Sequence, residues 1–521
     1  MKRRLLTGAL ALTGLLAGSF VVVPPASADP DPPEQWRSYW VDAFNQGIYT
    51  QEQVEELVAD AVAINANALI VQTARRYDCF CNRALYPRTD AFISPEPYDP
   101  LDAIIEAAHA EGIEVHAWVN VNTMWNSATP HSSPDHVSNA HGLTAEGRDR
   151  WVNKRADGTE RIGNNVYVDP GHPDARDYIV EAIQSIVREY DVDGINLDYV
   201  RYPDFNSSTS HSDWGYNDVS VARFQALTGR TDVPAADDPE WGDWRRAQVT
   251  ALVRKIYLGM WEVDPQARLS MDGITYGFGP QSVGGWEQTR TYAEVLQDWK
   301  GWLEEGIMDT VVAMNYKRNW LPPQDQMFSE WTEVIADWQG ERQAVNGPAL
   351  YLNSVSDAVE QVEEILEPTA AGNVAAGWSG YSYANPSNAY VGGPWEDRSA
   401  ERGALAAALT APGAPFEHEA AVPEMTWKTD PSDGHVTGTL GLPDGTPLDQ
   451  VDVTLRPLTG GDEATTRSDG SGWFGFAHVD SGHYLVQLDL PDGVAGQPVA
   501  YVEVKDGRIS EAEFNALIDV G

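Results

Sequence analysis

Residues 192–203 read VDGINLDYVRYP, with Asp193 and Asp198 five positions apart and Asn196 between them. A run this apolar forms a buried strand, and burying an ionised carboxylate without partners is costly. At least one of these acids therefore has a reason to be there. A carboxyl in an apolar wall can hold a proton at neutral pH, which is the property a general acid or base needs. The competing reading is a carboxylate locked to Arg201, three residues on.

Which aspartate is which depends on the elements that carry them. From residue 36 to about 410, short apolar runs alternate with amphipathic stretches. Strands are expected at 36–42, 68–74, 114–120, 194–199, 268–274, 309–316, 347–353 and 375–383. Helical patterns follow them, one opening at Thr50 as N-cap and one stopping at Gly112. Eight strand-then-helix units over this length are the pattern of an α/β fold, the (β/α)₈ or TIM-type barrel. No G-x-G-x-x-G or G-x-x-x-x-G-K run opens a helix, so nucleotide binding has no support. In such a barrel the C-terminal strand ends carry the chemistry and the other end carries stability. Asp193 opens its strand and is read as structural. Asp198 closes the strand and is read as catalytic. By parity Asn196 and Asp198 point into the lumen, while Ile195, Leu197 and Tyr199 face the helices.

Length, charge and the termini bound the rest. The 521 residues suit one large domain plus a smaller one. The N-terminus has cations at Lys2, Arg3 and Arg4, an apolar stretch, and Ala26-Ser27-Ala28. It is read as a signal peptide, 1–28, with the chain exported and possessing no lipobox cysteine. The domain that follows is expected over 29–411. No later stretch is apolar for long enough to span a bilayer. A net charge of −43 disfavours nucleic acid and anionic membranes, and disfavours strongly anionic polymers unless a local patch compensates. Cys79 and Cys81 are the only cysteines; a bridge between them would close a small ring, and a metal site is not expected. Residues 412–427 read as a linker. Residues 428–521 alternate with period two between PDG, TGG, SDGSG and DSG turns, which reads as a small all-β sandwich. That segment resembles the carboxypeptidase regulatory-like domains, a likeness that implies a fold and no activity. A chain ending near Ala411 is expected to fold without it.

WRSYWVD, NALIVQTARRYD, EGIEVHAWVN and YDVDGINLDYVRYP together resemble the glycosyl hydrolase-like family 10 proteins, also called the DUF187 family, over roughly 36–400. The resemblance implies an exported barrel enzyme acting on glycosidic bonds, with bacterial cell-wall glycan or another amino-sugar glycan as substrate. Family members often carry a second aspartate where this chain has Tyr199. That substitution favours the rival reading, a cell-surface protein that grips a glycan without cleaving it.

Glycoside hydrolysis usually needs a proton donor and a second carboxylate. Asp272, near the top of the fifth strand, is the leading candidate for the second acid, with Asp42 as runner-up and Asp309 discounted at the strand foot. Sugars present apolar C–H faces and hydroxyls, so strand-end aromatic and amide residues are candidate contacts. These are Asn120, Arg201, Tyr202, Asn315, Tyr316, Trp378 and Trp125. Trp118 reads as core and His116 as a satisfied core histidine. No cofactor or metal is expected. The partner is a polysaccharide or oligosaccharide, and the chain is expected to act as a monomer.

Overall fold

The computed structural model describes residues 32–514 and 517–520. The signal-peptide reading of 1–28 falls outside them. Eight parallel strands close a barrel in sequential order: β1 (Trp36–Val41), β2 (Ala68–Ala74), β3 (Glu114–Asn120), β4 (Gly194–Asp198), β5 (Arg268–Ile274), β6 (Thr310–Asn315), β7 (Gln343–Pro348) and β8 (Gly377–Tyr381). Each is followed by an outer helix: α1 (Gln51–Ala63), α2 (Pro100–His109), α3 (Pro173–Glu189), α4 (Pro239–Val263), α5 (Trp299–Glu305), α6 (Pro322–Asp337), α7 (Val355–Leu366) and α8 (Trp395–Leu409). The fold is a TIM-type (β/α)₈ barrel with separate antiparallel sheets at the C-terminus. Local chemistry starts the helices. Thr50 caps α1 by accepting from Gln53 N, and Ser354 with Asp357 forms a capping box on α7.

One strand lies earlier than its apolar pattern predicts. The seventh was expected at 347–353, but β7 is Gln343–Pro348 and residues 350–352 form a short 3-10 turn. Its polar residues find tertiary partners that composition does not reveal. Gln343 Nε2 donates to Glu424 O at 3.0 Å, and Asn346 Nδ2 donates to Thr332 Oγ1 at 2.8 Å.

Helix-facing strand residues such as Leu69, Val71, Val115, Ile195, Leu197 and Met271 are buried in the main core. The lumen has its own cluster, built on Trp36, Trp40, Ile70, Trp118, Val312 and Val345. The Trp40 ring crosses the lumen because residue 347 is glycine. A Cβ there would lie 2.3 Å from Trp40 Cη2, a contact no side chain tolerates. At the foot of the barrel, Asp193 bonds His109 Nε2 at 2.8 Å and accepts from Val115 N at 2.7 Å.

In the C-terminal sandwich, β9 (Asp433–Thr439), β12 (Trp473–Asp480) and β15 (Ile509–Glu511) form one sheet. The other contains β10 (Asp452–Pro457), β11 (Ala464–Arg467), β13 (Gly482–Asp489) and β14 (Val499–Val504). Val436, Val453, Leu455, Phe474, Val486 and Val502 fill its core. It docks on α4. Lys255 pairs with Asp469 at 3.1 Å, Trp244 Nε1 donates to Gln450 Oε1 at 2.7 Å, and Trp261 packs on the His435 ring at 4.3 Å. The 412–427 segment is not a free tether. Ala421 O accepts from Gln35 N at 2.9 Å, Pro423 O from Arg268 Nη2 at 2.9 Å, and Trp427 Nε1 donates to Asp309 Oδ1 at 2.7 Å. The segment closes the lower mouth, opposite the cleft described next.

Candidate active site

A cleft of about 590 Å³ opens at the C-terminal mouth of the barrel, and Asp198 and Asp272 both line it. Asp198 ends β4 and Asp272 sits on the neighbouring β5. The register Leu197↔Met271 sets the two acids at one level of the barrel wall. Both are buried.

Their surroundings differ. Asp198 Oδ1 accepts from Tyr199 N at 2.7 Å, and Oδ2 accepts from Trp118 Nε1 at 3.2 Å. Burial pushes its pKa up to about 6, against the pull of the Arg201 charge and those two donors. Asp272 Oδ1 accepts from Trp40 Nε1 at 3.1 Å. Burial first, and then the nearby charge of Asp198, hold the Asp272 carboxyl well above the usual carboxylate range. Burial thus acts on both acids, and the Asp198 charge makes Asp272 the harder of the two to ionise.

The walls are aromatic. Tyr316 and Tyr381 stack at 5.1 Å, and the edges of Trp40, Trp118 and Tyr351 face Tyr381 at 5.9, 6.4 and 6.0 Å. Phe44 and Phe205 stand at the rim, 49% and 55% exposed. Arg201 pairs with Asp204 at 3.1 Å and lies over the Tyr199 ring at 4.5 Å. Tyr276 OH donates to the other Asp204 oxygen at 2.8 Å. Asn120 lines the cleft, its Oδ1 accepting from Gln72 Nε2 at 3.1 Å. Among the described residues, no group of three His, Cys, Asp or Glu side chains could hold a metal ion.

Residues 35–359 match the model of the Glycosyl hydrolase-like 10 family. The chain belongs to this family. It is 26% identical over 324 residues to glycosyl hydrolase YngK of Bacillus subtilis (strain 168), covering 58% of each chain. It is 25% identical over 231 residues to glycosyl hydrolase DigH of Escherichia coli (strain K12), covering 42% of this chain and 46% of that one. The chain thus spans about half the length of the curated relatives it matches. Among solved structures it is similar to the PgaB (BpsB) glycoside hydrolase domain from Bordetella bronchiseptica, at 15% identity and a TM-score of 0.49, over 71% of this chain and 98% of that one.

The glycosyl hydrolase-like 10 cleft gathers Asp198, Asp272, Asn120, Arg201 and Tyr316 from the residues singled out in the sequence. Four others lie elsewhere. Tyr202 is buried beneath its loop, 5.9 Å from the Arg245 guanidinium. Asn315 has the helix-facing parity of β6 and donates to Phe328 O at 3.1 Å. Trp378 has the same orientation on β8 and packs between Tyr39 and Phe416. Trp125 packs against His131 and His136, away from the cleft lining. The parity expected for Tyr199 also fails. Its φ of 51° turns the chain left-handed as β4 ends, so the residue joins the cleft lining. Asp42 is a turn residue that accepts from Phe44 N and Asn45 N, both at 3.1 Å.

Trp40, Arg76 and Lys317 are not marked by the sequence, Trp118 reads there as core and Tyr381 only as a strand-end aromatic, yet Trp40 binds Asp272 and the other four line the cleft. Two-residue parity carried a signal for Trp118, which shares the inward face of β3 with Asn120. It carried the same signal for Tyr381, which alternates with Trp378. Arg76 lies beyond the end of β2, where parity lapses. Lys317 donates to Thr275 O at 2.7 Å, and burial pushes its pKa down to about 7. Cys79 and Cys81 form a disulfide in the loop after β2, close to Arg76 in sequence.

Proposed function

We propose that the chain is an exported glycoside hydrolase acting on bacterial cell-wall glycan or another amino-sugar polysaccharide. The barrel of 29–411 is its catalytic unit, and the sandwich of 428–521 buttresses it. One observation carries the reading: a single cleft sets two buried carboxyls of unlike proton affinity on neighbouring strands, Asp198 at about 6 and Asp272 held above the usual carboxylate range. Cleavage of a glycosidic bond needs that pair. Asp272 delivers its proton to the departing oxygen, Asp198 stabilises the positive charge that grows on the sugar ring, and water then adds to the anomeric carbon and returns a proton to Asp272. Tyr316, Tyr381 and the rim rings Phe44 and Phe205 offer flat apolar faces to the C–H faces of sugars, and Asn120 and Arg201 offer donors to hydroxyls. The relatives are called glycosyl hydrolases, and the N-terminal pattern supports export.

The test uses denuded peptidoglycan glycan, chitin-type and galactosaminoglycan oligomers, with new reducing ends as the readout. Cleavage of one substrate, lost in Asp198→Asn, supports the reading. Asp272→Asn is expected to slow natural glycans by roughly 10²–10⁴-fold, the usual worth of general acid catalysis. It should slow a dinitrophenyl glycoside far less, because that leaving group needs no proton. Retention of a glycan without any cleavage would instead identify a binding protein.

A further inference from the structure

Three cations line the cleft, and two of them have partners within the protein. Arg201 is paired with Asp204. Lys317 donates to Thr275 O and carries only part of its charge at neutral pH. Arg76 differs. Its guanidinium has no hydrogen bond and no ion pair to any described residue; the Nε atoms of Arg75, Arg76 and Arg201 are all buried without a partner, but of the three only Arg76 lacks a terminal-nitrogen partner as well. The preceding residue shows the contrast: Arg75 donates to Ala43 O at 2.9 Å and pairs with Asp78 at 3.9 Å.

The backbone around Arg76 is held from several sides. Arg76 N donates to Asp78 Oδ1 at 3.1 Å, and its carbonyl lies 2.9 Å from His136 Nε2. The next residue, Tyr77, has φ of 64° and donates through its hydroxyl to Val121 O at 2.6 Å. The guanidinium itself lies over Phe44 at 5.1 Å. No cleft acid is left to neutralise it. Asp204 is shared by Arg201 and Tyr276, Asp198 faces the Arg201 charge, burial and the Asp198 charge disfavour ionisation of Asp272, and Asp78, outside the cleft lining, acts on Arg76 through its charge without an ion pair. Burial lowers the Arg76 pKa to about 10, which leaves it fully charged at neutral pH. A half-buried, unpaired guanidinium is costly, and more conspicuous in a chain of net charge −43.

Resting on the reading of this cleft as a glycan site, we propose that Arg76 is the receptor for a substrate carboxylate. The cleft therefore selects glycans whose sugars carry an acidic substituent, a lactyl ether or a uronate. The guanidinium fork matches a carboxylate in two parallel hydrogen bonds, whereas a neutral glycan would leave the cation desolvated and unpaired.

The experiment measures binding, so it does not depend on cleavage. Calorimetry on the full chain carrying Asp198→Asn uses four probes: an N-acetylglucosamine/N-acetylmuramic acid tetrasaccharide, the same tetrasaccharide with its carboxyls reduced, tetragalacturonate and chitotetraose. One or both carboxylate probes should bind about 10- to 100-fold more tightly than the reduced and neutral probes, the range of a charge-assisted contact. Which one binds identifies the source of the carboxylate. Adding Arg76→Gln should collapse that ratio towards one, and Arg76→Lys should keep part of it. Equal affinity for the native and reduced tetrasaccharides, without preference for tetragalacturonate, would overturn the proposal and leave the glycan reading standing. So would a ratio unchanged by Arg76→Gln, or by Arg76→Lys should the glutamine variant fail to fold. Failure to bind any probe would overturn the proposal, and the reducing-end assay, which includes galactosaminoglycan, would decide the glycan reading separately.

Discussion

Replacing Trp118 by Phe removes one N–H from Asp198 and leaves most of the aromatic body in the lumen. The lost bond is 3.2 Å long and stabilises the ionised form of Asp198. Hydrogen bonds to charged groups contribute about 1.5–3 kcal/mol, and the length of this one suggests the lower figure. At 1.36 kcal/mol per pKa unit, the shift is about one unit upwards. The acid limb of kcat/KM, set by Asp198 at about 6, should therefore move to roughly 7 in Trp118→Phe. At pH 6 the ionised fraction falls from about one half to about one eleventh, roughly a fivefold loss, and at pH 8 almost none. Trp40→Phe is the internal control. Trp40 donates to Asp272 Oδ1, so its removal makes the Asp272 proton harder to lose. It should raise the alkaline limb and leave the acid limb in place. Initial rates from pH 4.5 to 9, with thermal melts to confirm folding, make the assay. An acid limb in Trp118→Phe that stays put or moves down would refute the reasoning, as would both variants moving the same limb. A loss equal at every pH would report packing rather than ionisation.

Asp198 also links stability to pH. Its folded pKa of about 6 lies above its ordinary 3.8, so the native state binds the proton more tightly than the unfolded state. The stabilising contribution is complete below about pH 3.8 and is lost as pH rises through about 6. The ionised group then costs up to about 3 kcal/mol at pH 7. Asp198→Asn should melt higher than wild type at pH 7, and the gap should narrow below pH 4; a lower melting temperature at pH 7 would contradict this. At the lower mouth, buried Asp309 pairs with Lys428 at 3.0 Å. Lys428→Met should cost roughly 3 kcal/mol, measured by urea unfolding, because it leaves a buried charge unpaired. A chain ending at Ala411 loses both Trp427 and Lys428 and should aggregate on gel filtration; a monodisperse, cooperatively melting fragment would show that the barrel closes without them.

The barrel and the height of its acids were legible in the sequence because both follow from local rules. A period of two marks a strand, 3.6 marks the helix after it, and the last residue of a barrel strand lies at the working mouth. That is enough to put Asp198 and Asp272 at the top and Asp193 and Asp309 at the foot. Parity fails where the chain leaves the strand. Tyr199 turns left-handed and enters the cleft, while Asn315 and Trp378, read as mouth residues, face the helices. The other features depend on closure. Trp40 reaches Asp272 across the lumen only because Gly347, more than 300 residues away, leaves the space. Asp198 and Asp272 acquire unequal proton affinities only when the wall excludes water and sets Arg201 near one of them. The 412–427 segment, rich in proline and alanine, reads as a tether and becomes the floor of the barrel once Arg268, Gln343 and Asp309 supply its partners. Arg75 and Arg76 are identical in sequence terms, and only the folded chain gives one of them an acid and leaves the other facing the cleft. Sequence periodicity encodes which way a residue points relative to its neighbours. Which charges lose their water, and which partners meet them there, is decided when segments hundreds of residues apart close on one another.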